Sequence, residues 1–183
     1  MTEVFLERTF DSPVSIADVL DMLQAAQGCL GLHRVNWRMS LLPADGRRMF
    51  CHFSGVDAES VRIALREAGT DTSALWPGTV HDAPGLTPAD LDSANVLVTR
   101  TFDKPVTLEE IQSIEDAGAW CLETRNVKFV RTFFSTDCTR MACIYRAPDA
   151  ESVRQAQRQA RMPVDRVWSF KPIRPEDQAP TTV

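Results

Sequence analysis

The sequence predicts an α+β fold: two tandem ferredoxin-like βαββαβ repeats, packed sheet to sheet as a fused pseudo-dimer of the dimeric α/β-barrel type. The first observation is an internal repeat, in which residues 5–14 return as residues 97–106 and residues 57–62 return unchanged as residues 149–154. Across the two copies, about 25 of 78 aligned positions are identical without a gap. The second observation is that both copies give the same succession of strand and helix signals. One domain has therefore been duplicated and fused.

The first strand and helix of each repeat are marked by a β-rich run, a turn and an N-cap. Residues 4–10 give the strand signal, which stops at a turn containing Pro13. Ser15 with Asp18 three residues later predicts a helix N-cap, and Thr107 with Glu110 is the stricter capping box. The apolar residues that follow at helical spacing are Ile16, Val19, Leu20, Leu23 and Leu30, then Leu108, Ile111, Ile114, Ala117 and Cys121.

Two strands joined by a turn, a second helix and a last strand complete each repeat. The middle strands are predicted at 35–42, 48–53, 127–134 and 141–145. The second helices, capped by Asp57 and Asp149, are predicted at 57–68 and 149–161, and the last strands at 75–80 and 166–170.

These elements divide the chain into two domains and two connecting segments. Residues 1–81 form the first ferredoxin-like repeat and residues 95–173 the second. Residues 82–94 are predicted to be a linker, with a short helical turn possible from Thr87. Residues 174–183, which are rich in proline and polar residues, are predicted to be a flexible tail.

Composition excludes several classes of function. The 183 residues carry a net charge of −5, so we expect no nucleic-acid partner, which would need a clustered basic surface. No apolar run approaches the length of about 18 residues that spans a membrane, and no signal-peptide pattern is seen. Five cysteines, an odd number, do not suggest a disulfide framework. We expect a cytoplasmic protein, either a monomer that mimics a dimer or a homodimer.

Several segments resemble a known family. They are residues 6–10, residues 45–48, residues 143–154 and residues 162–167. These segments resemble the small nickel-binding ferredoxin-like proteins of actinomycetes, a domain of unknown function, and each repeat corresponds to one family domain. The resemblance implies the ferredoxin-like fold, a fused counterpart of the family's homodimers, and nickel or another transition metal as cofactor.

The sequence departs from this family at its usual histidine positions. In the second strand the chain has Met39 and Arg131, and in the second helix it has Ala64 and Ala156. The fold therefore transfers, whereas nickel binding by the family's own ligands does not.

The cysteines give a weak alternative metal site. Cys29 and Cys51 are 22 residues apart, and so are Cys121 and Cys143. Each pair is predicted to lie under one helix–sheet contact, where two thiols could bind a soft metal or change redox state. The competing and favoured interpretation is that they are small buried core residues, because both copies keep them.

Strand alternation predicts a polar face on the first repeat, on the side of the sheet away from the helices. Its predicted members are Glu7, Thr9, Arg38, Ser40, Arg48 and His52. In the second repeat Glu7 becomes Thr99 and His52 becomes Ile144, so this acid/base pair occurs once. The competing interpretation is a polar interface between the two sheets.

Two functional hypotheses follow. The first is a small binding protein that holds a metal ion or a small organic ligand between or beside the repeats. The second is a cofactor-independent enzyme in which His52 and Glu7 act as acid and base on a small anionic or carbonyl substrate. In the second hypothesis Arg38 and Arg48 orient the substrate, and Ser40 and Thr9 are further candidates for binding a ligand. Trp120, which replaces Gly28, either caps the ligand cavity or docks against the other repeat.

Overall fold

The computed structural model describes residues 1–178, and these form two units with separate apolar cores. The first unit contains Met1–Gly78 and the segment that begins at Lys171, and the second contains Thr79–Phe170. Both carry the predicted ferredoxin-like succession of strands and helices, so the predicted α+β class with two such repeats is confirmed. The face-to-face packing of the two sheets stays a prediction.

Unit 1 is built on an antiparallel sheet whose strand order is β4-β1-β3-β2-β9. The strands are β1 (Thr2–Thr9), β2 (Asn36–Leu42), β3 (Arg48–Gly55), β4 (Leu75–Asp82) and β9 (Lys171–Ile173). Helices α1 (Ile16–Leu32) and α2 (Ala58–Glu67) pack against one side of it. β4 runs across the boundary between the units, which falls at Gly78.

Unit 2 repeats this plan with the strand order β8-β5-β7-β6. Its elements are α3 (Pro88–Ser93), β5 (Val96–Thr101), α4 (Leu108–Ala117), α5 (Ala119–Glu123), β6 (Lys128–Ser135), β7 (Arg140–Arg146), α6 (Ala150–Gln159) and β8 (Arg166–Ser169). The helix α3 lies inside the predicted linker, where Thr87 and Asp90 form a capping box.

The predicted N-caps are present in the structure. Ser15 caps α1 and Thr107 caps α4, each in a capping box, because the side chain three residues later returns a bond to the cap backbone. Asp57 caps α2 and Asp149 caps α6 through the backbone N–H three residues on. Local sequence therefore sets where these four helices begin.

The C-terminal segment differs from the prediction, which assigned residues up to 173 to the second repeat. β9 pairs with β2, with Ser40 opposite Ile173, and Ile173 is buried in the core of unit 1. A short helical turn follows at Pro175–Asp177. The first part of the predicted flexible tail is therefore structured, and residues 179–183 of it lie outside the described residues.

The helix that was predicted to reach Cys121 is interrupted. α4 ends at Ala117 and α5 starts at Ala119, whereas the matching α1 runs unbroken. Gly118 stands at the break, opposite Ala160, and an added Cβ at Gly118 would meet the Cβ of Ala160 at 2.6 Å. The break therefore falls at a residue where a side chain larger than that of glycine would collide with Ala160.

Both units have a β-bulge at the same place. In β2 the register shifts between Trp37 and Met39, and in β6 it shifts between Phe129 and Arg131. A bulge adds one residue to a strand, so every side chain beyond it points to the opposite face. This shift decides where Ser40 points.

Candidate functional site

A groove of about 380 Å³ runs along α1 in unit 1. Its helical side is made by residues at spacings of three and four, namely Leu23, Gln27, Leu30 and Gly31, which share one side of α1. The rest of its lining is Val35, Asn36, Trp37, Pro175 and Gln178. Groove volumes of about 300–1,000 Å³ are typical of sites for small molecules.

The groove is apolar with neutral polar groups at its edges. Leu23, Leu30 and Trp37 belong to the buried core, and they form the apolar walls. The amide of Gln27 donates from Nε2 to Oε1 of Gln178, 3.3 Å away, so these two side chains meet across the groove. None of the residues that line the groove carries a charge.

Trp37 connects the groove to the interior of the unit. Its Nε1–H donates to Oγ of Ser40 at 3.1 Å, and the Ser40 hydroxyl donates to Sγ of Cys51 at 3.1 Å. The indole ring therefore has a fixed orientation, and its polar atom is satisfied inside the protein rather than by a ligand. Trp37 presents an apolar ring edge to the groove.

The predicted pairing of His52 with Glu7 is not present, because each of these side chains has a different partner. Nε2 of His52 lies 2.5 Å from Oε2 of Glu3, and Oε1 of Glu7 instead accepts from Nε1 of Trp76 at 3.3 Å. Glu3 and Glu7 flank Phe5, which is the residue opposite His52. Both carboxylates are thus diagonal neighbours of the imidazole, and the Trp76 indole engages Glu7.

The His52–Glu3 pair lies in a closed aromatic environment. The rings of Phe5 and His52 are 4.9 Å apart, and those of Phe5 and Trp76 are 4.6 Å apart. His52 is 5% exposed, so a substrate does not reach its imidazole in this structure. The arrangement is that of a histidine held by a carboxylate inside a packed face.

Ser40 does not lie on the predicted polar face. Because the bulge precedes it, Ser40 points toward the helices, where its hydroxyl contacts Cys51. Its predicted place on the polar face beside His52 is therefore wrong, and its counterpart Thr132 contacts Cys143 in the same way at 3.1 Å.

The other predicted members of the polar face are spread along the sheet. Nε of Arg38 donates to Oγ of Ser54 at 3.0 Å. Thr9 and Arg48 lie opposite each other at the far end of β1 and β3. Arg48 and His52 are four positions apart along β3, which is about 13 Å in a strand. The six predicted residues therefore do not converge on one site.

Trp120 lies on α5 with 54% of its surface exposed. It is on the short helix of unit 2 that follows the break at Gly118, and it does not line the groove of unit 1. Its predicted role as a cap of a ligand cavity stays a prediction.

The cysteines are free thiols, and three of them, Cys51, Cys121 and Cys143, are buried. Cys29 is only partly buried on α1, and among the described contacts none joins it to Cys51. Burial raises the pKa of the Cys51 thiol to about 11, although the Ser40 hydroxyl bond opposes this. At neutral pH such a thiol stays protonated and does not act as a nucleophile.

Unit 2 contains a buried polar cluster that the sequence interpretation missed. Arg100 is 1% exposed, and its Nη2 donates to Oε1 of Gln157 at 2.6 Å. Its Nη1 donates to Sγ of Cys143 at 3.1 Å, and the Gln157 amide donates to the hydroxyl of Tyr145 at 3.1 Å. Among the described residues, Nε of Arg100 and Oε1 of Glu115 are buried without a hydrogen-bond partner.

The ionisation of this cluster follows from its burial. Burial opposes the charge of Arg100, but the neighbouring Cys143 and Tyr145 raise the pKa of the guanidinium above its ordinary value. Burial raises the pKa of the carboxyl of Glu115, and the positive charge of Arg100 opposes that rise. Burial also raises the pKa values of Cys143 and Tyr145. Arg100 therefore keeps its charge, and burial favours the neutral forms of Cys143 and Tyr145.

Sequence signals for these missed residues exist in part. Arg100 lies two and four positions after Val98 and Val96 on β5, so it shares their face on the helix side of the sheet. Glu3 lies two positions before Phe5 on β1 and shares its face, but the predicted strand began at residue 4 and left Glu3 out. Pro175 and Gln178 gave no signal, because nothing in their composition indicates a return to unit 1.

The comparisons with known proteins bear on the family and the fold. Residues 97–169 match a family model described as nickel responsive protein SCO4226-like, which confirms the predicted resemblance for the second repeat. No curated protein matches the chain in sequence. In the described residues no helix is long and apolar enough to cross a membrane.

The solved structures that are similar to this chain share little sequence with it. A mutant chlorite dismutase from Candidatus Nitrospira defluvii has 12% identity and a TM-score of 0.51, covering 93% of this chain and 90% of its own. SCO4226 from Streptomyces coelicolor A3(2) has 16% identity and a TM-score of 0.38, covering 49% of this chain and 100% of its own. A heme-binding protein from Thermus thermophilus has 9% identity and a TM-score of 0.49, covering 96% of this chain and 92% of its own. The likeness to the dismutase supports the two-repeat fold alone.

Nickel, which the family description suggests, does not fit the residues described. Within residues 1–178 no group of three or more His, Cys, Asp and Glu side chains could hold a metal ion. His33 contacts Glu67 at 2.9 Å, and His81 contacts Thr79 at 2.7 Å, so the histidines are dispersed. Nickel favours several imidazole, carboxylate or thiolate ligands together, and no such set is present there.

Proposed function

We propose that this chain is a small-ligand-binding protein whose first unit holds an uncharged, largely apolar organic molecule in the groove along α1. The observation that carries the proposal is the groove itself, with about 380 Å³ between α1, β2 and the C-terminal turn. A groove of this size with apolar walls and a few polar groups has the usual character of a small-molecule site.

The lining determines the chemical class of the ligand. Leu23, Leu30 and Trp37 offer apolar surface, whose burial stabilises a complex by about 25 cal/mol per Å². The side-chain amides of Gln27, Asn36 and Gln178 both donate and accept, so they suit a carbonyl or hydroxyl group on the ligand. A charged ligand would lose its hydration without gaining a counter-charge, so a neutral one is favoured.

The repeat indicates one such site per chain. In unit 2 the position of Gly31 is taken by Glu123, and that of Asn36 by Lys128. The C-terminal turn that closes the groove belongs to unit 1. The features that favour a neutral apolar ligand are therefore confined to unit 1.

The proposal includes neither nickel, which the family description names, nor haem, which the protein from Thermus thermophilus binds. Haem iron needs an axial ligand such as His, Cys, Met or Tyr, and the groove lining contains none of these. Catalysis by His52 is also less well supported, since its imidazole is buried against Phe5 and bound to Glu3. The groove needs no rearrangement of either unit to admit a ligand.

A fluorescence titration with the neutral apolar probe N-phenyl-1-naphthylamine tests the proposal. Gly31→Leu fills the groove, because an added Cβ at Gly31 meets nothing within 4 Å and Gly31 lines the groove. Gly28→Leu is the matched control, since Gly28 lies on the same helix with equally open space but does not line the groove. Both changes raise helix propensity by a similar amount, about 1 kcal/mol.

We expect the probe to bind the wild type at one site and the Gly31→Leu variant at least tenfold more weakly, with Gly28→Leu unchanged. Equal affinity in all three proteins, or no saturable binding by the wild type, would contradict the proposal. Circular dichroism of the variants confirms that both are folded.

A further inference from the structure

Unit 2 exposes an apolar strip where α4 meets α5. Its members are Ile114, Ala117, Ala119 and Trp120, all of them exposed, and Trp120 is the largest. Trp120 lies three positions after Ala117, which lies three positions after Ile114, so these side chains follow one another along successive turns. Contiguous exposed apolar residues indicate a binding surface, and tryptophan is enriched among the residues that dominate protein interfaces.

The α4–α5 side of this strip is acidic. Residues 108–123 contain five carboxylates and no lysine or arginine, and four of the five carboxylates are exposed. Asp116 lies four positions before Trp120 and Glu123 three positions after it, so both stand beside the indole ring. The strip therefore has a negatively charged edge.

The C-terminal end of α6 gives the strip a basic edge. Gly118, between α4 and α5, lies against Ala160, since an added Cβ at Gly118 would meet the Cβ of Ala160 at 2.6 Å. Arg158 and Arg161 are close to Ala160 in the chain, and both are exposed. Neither arginine forms an ion pair with any residue of 1–178. Opposite charges therefore lie on the two sides of the apolar strip.

Unit 1 lacks this surface, because the three side chains that give it its character are missing there. The equivalents of Trp120, Glu123 and Arg161 are all glycines, namely Gly28, Gly31 and Gly69. Arg161 has φ 57°, close to the φ 74° of its glycine counterpart. A residue with a Cβ is strained in this left-handed conformation, and strain that persists at a surface position indicates that its side chain has a function.

We propose that this surface of α4, α5 and the end of α6 binds a second copy of the chain across a two-fold axis beside Trp120. In a two-fold interface both copies present the same surface. Rotation about an axis at the apolar strip places the acidic edge of one copy opposite the basic edge of the other. The two Trp120 rings lose their exposure to water at the centre, and the charges form the rim.

The two edges favour a second copy over a partner of another kind. A partner that carries one sign of charge would be repelled by one edge, whereas a second copy matches both edges at once. The surface belongs to unit 2 alone. The inference is therefore independent of the groove and of the proposed function.

The test is sedimentation velocity of the full chain over a range of concentrations. A chain of 20.5 kDa that dimerises is expected to approach twice that mass as its concentration rises. A reducing agent is present throughout, so that Cys29 and Cys138, which are only partly buried, form no disulfide between copies. Trp120→Ser removes the central ring, and Leu32→Ser is the matched control, because Leu32 is an exposed apolar residue on a helix of unit 1.

Charge reversal tests the pairing of the two edges. Glu123→Arg and Arg161→Glu each place like charges opposite one another, and the two changes combined in one chain restore opposite charges. We expect each single reversal to weaken dimerisation and the double variant to regain it. Sodium chloride at about 0.5 M is expected to weaken the wild-type dimer, since it screens charges at the rim.

We expect dimerisation to be at least tenfold weaker in Trp120→Ser and unchanged in Leu32→Ser. A wild-type chain that stays monomeric up to about 1 mM overturns the proposal, and so does a dimer that Trp120→Ser leaves intact. A double variant that dimerises no better than the single reversals also overturns it. Circular dichroism of every variant confirms that the substitutions, all at exposed positions, leave the chain folded.

Discussion

The two units share a backbone plan but place their polar groups on opposite sides of the sheet. In unit 1 the polar pair of His52 and Glu3 lies on the face away from the helices, and the helix side carries an apolar core with the Ser40 hydroxyl inside it. In unit 2 Ile144 replaces His52, and the polar group Arg100 lies beneath the helices. Strand pairing, bulges and N-caps are the same in both. Duplication therefore kept the hydrogen-bonded frame and let the chemistry of each face diverge.

The arginine is buried beneath the helices only in unit 2, and residue differences at three equivalent positions of the repeats explain this. Leu23, Phe53 and Leu65 of unit 1 correspond to Glu115, Tyr145 and Gln157 of unit 2. The polar side chains of unit 2 hydrogen-bond the arginine and fill the space. Their apolar counterparts in unit 1 offer no hydrogen-bond partner, so the Arg8 guanidinium lies over the Phe10 ring and beside Met22, on the wall of a cavity of about 30 Å³. A buried charge needs such partners, which explains why the changes occur together.

The largest effect is expected from Arg100→Met. The change leaves the oxygen of Gln157 and the hydroxyl of Tyr145 buried without their guanidinium partner. We expect a loss of about 3 kcal/mol in the free energy of unfolding, measured by urea denaturation. Arg8→Met, at the matching half-buried position, is expected to cost less than about 1 kcal/mol. Equal losses in the two variants would mean that the buried cluster is not what distinguishes unit 2.

The next largest effect is expected when the residues at positions 52 and 144, which are equivalent in the two units, are exchanged for each other. Ile144→His buries an imidazole where the counterpart of Glu3 is Asn95, whose amide is already bonded to Ala147. We expect a cost of about 2 kcal/mol from an unsatisfied polar group. The reverse change, His52→Ile, leaves Glu3 partly exposed to water and is expected to cost about 1 kcal/mol. A larger loss for His52→Ile than for Ile144→His would contradict this account.

A smaller effect is expected at the turn between the middle strands. Cys138 has φ 59° and its counterpart Gly46 has φ 60°, a left-handed conformation that favours glycine. Cys138→Gly is therefore expected to raise the free energy of unfolding by about 1 kcal/mol, measured by thermal denaturation. Gly46→Cys is expected to be destabilising, since an added Cβ would lie 2.2 Å from the backbone oxygen of Val14. Destabilisation by Cys138→Gly would show that its side chain contributes more than the strain.

The smallest effect is expected from Glu115→Gln, because the charge of Arg100 opposes the effect of burial there. With its pKa raised in the folded state, Glu115 stabilises the fold below the pKa of an unfolded glutamate. This contribution is lost as pH rises through the raised value. The amide does not titrate, so the stability of the variant relative to wild type is expected to increase from pH 4 to pH 8. Urea denaturation across this range measures it, and a constant difference would exclude titration of Glu115.

The sequence predicted the repeat, the fold and the helix starts because these depend on local patterns. Capping residues such as Ser15 and Asp57 bond backbone groups within three residues, so their effect is visible in the sequence. Strand alternation correctly placed Glu7 and His52 on one face of the sheet. These are short-range constraints, and the two copies carry them alike.

The candidate site depended on long-range geometry that the sequence does not display. The bulge before Ser40 moved its side chain from the predicted face of the sheet to the helix side, and the sequence of residues 37–39 gives no sign of a bulge. The choice of Glu3 over Glu7 follows from the position of Trp76 on a neighbouring strand. The groove needs a C-terminal segment that returns across more than a hundred residues to β2.

The most direct measurement of ligand binding in unit 1 uses the four tryptophan indole N–H signals in a ¹⁵N correlation spectrum. Two belong to unit 1, Trp37 and Trp76, and two to unit 2, Trp120 and Trp168. Titration with N-phenyl-1-naphthylamine is predicted to shift the Trp37 signal in a saturable way and leave the two signals of unit 2 in place. A saturable shift of Trp120 or Trp168 with Trp37 unmoved would contradict the account.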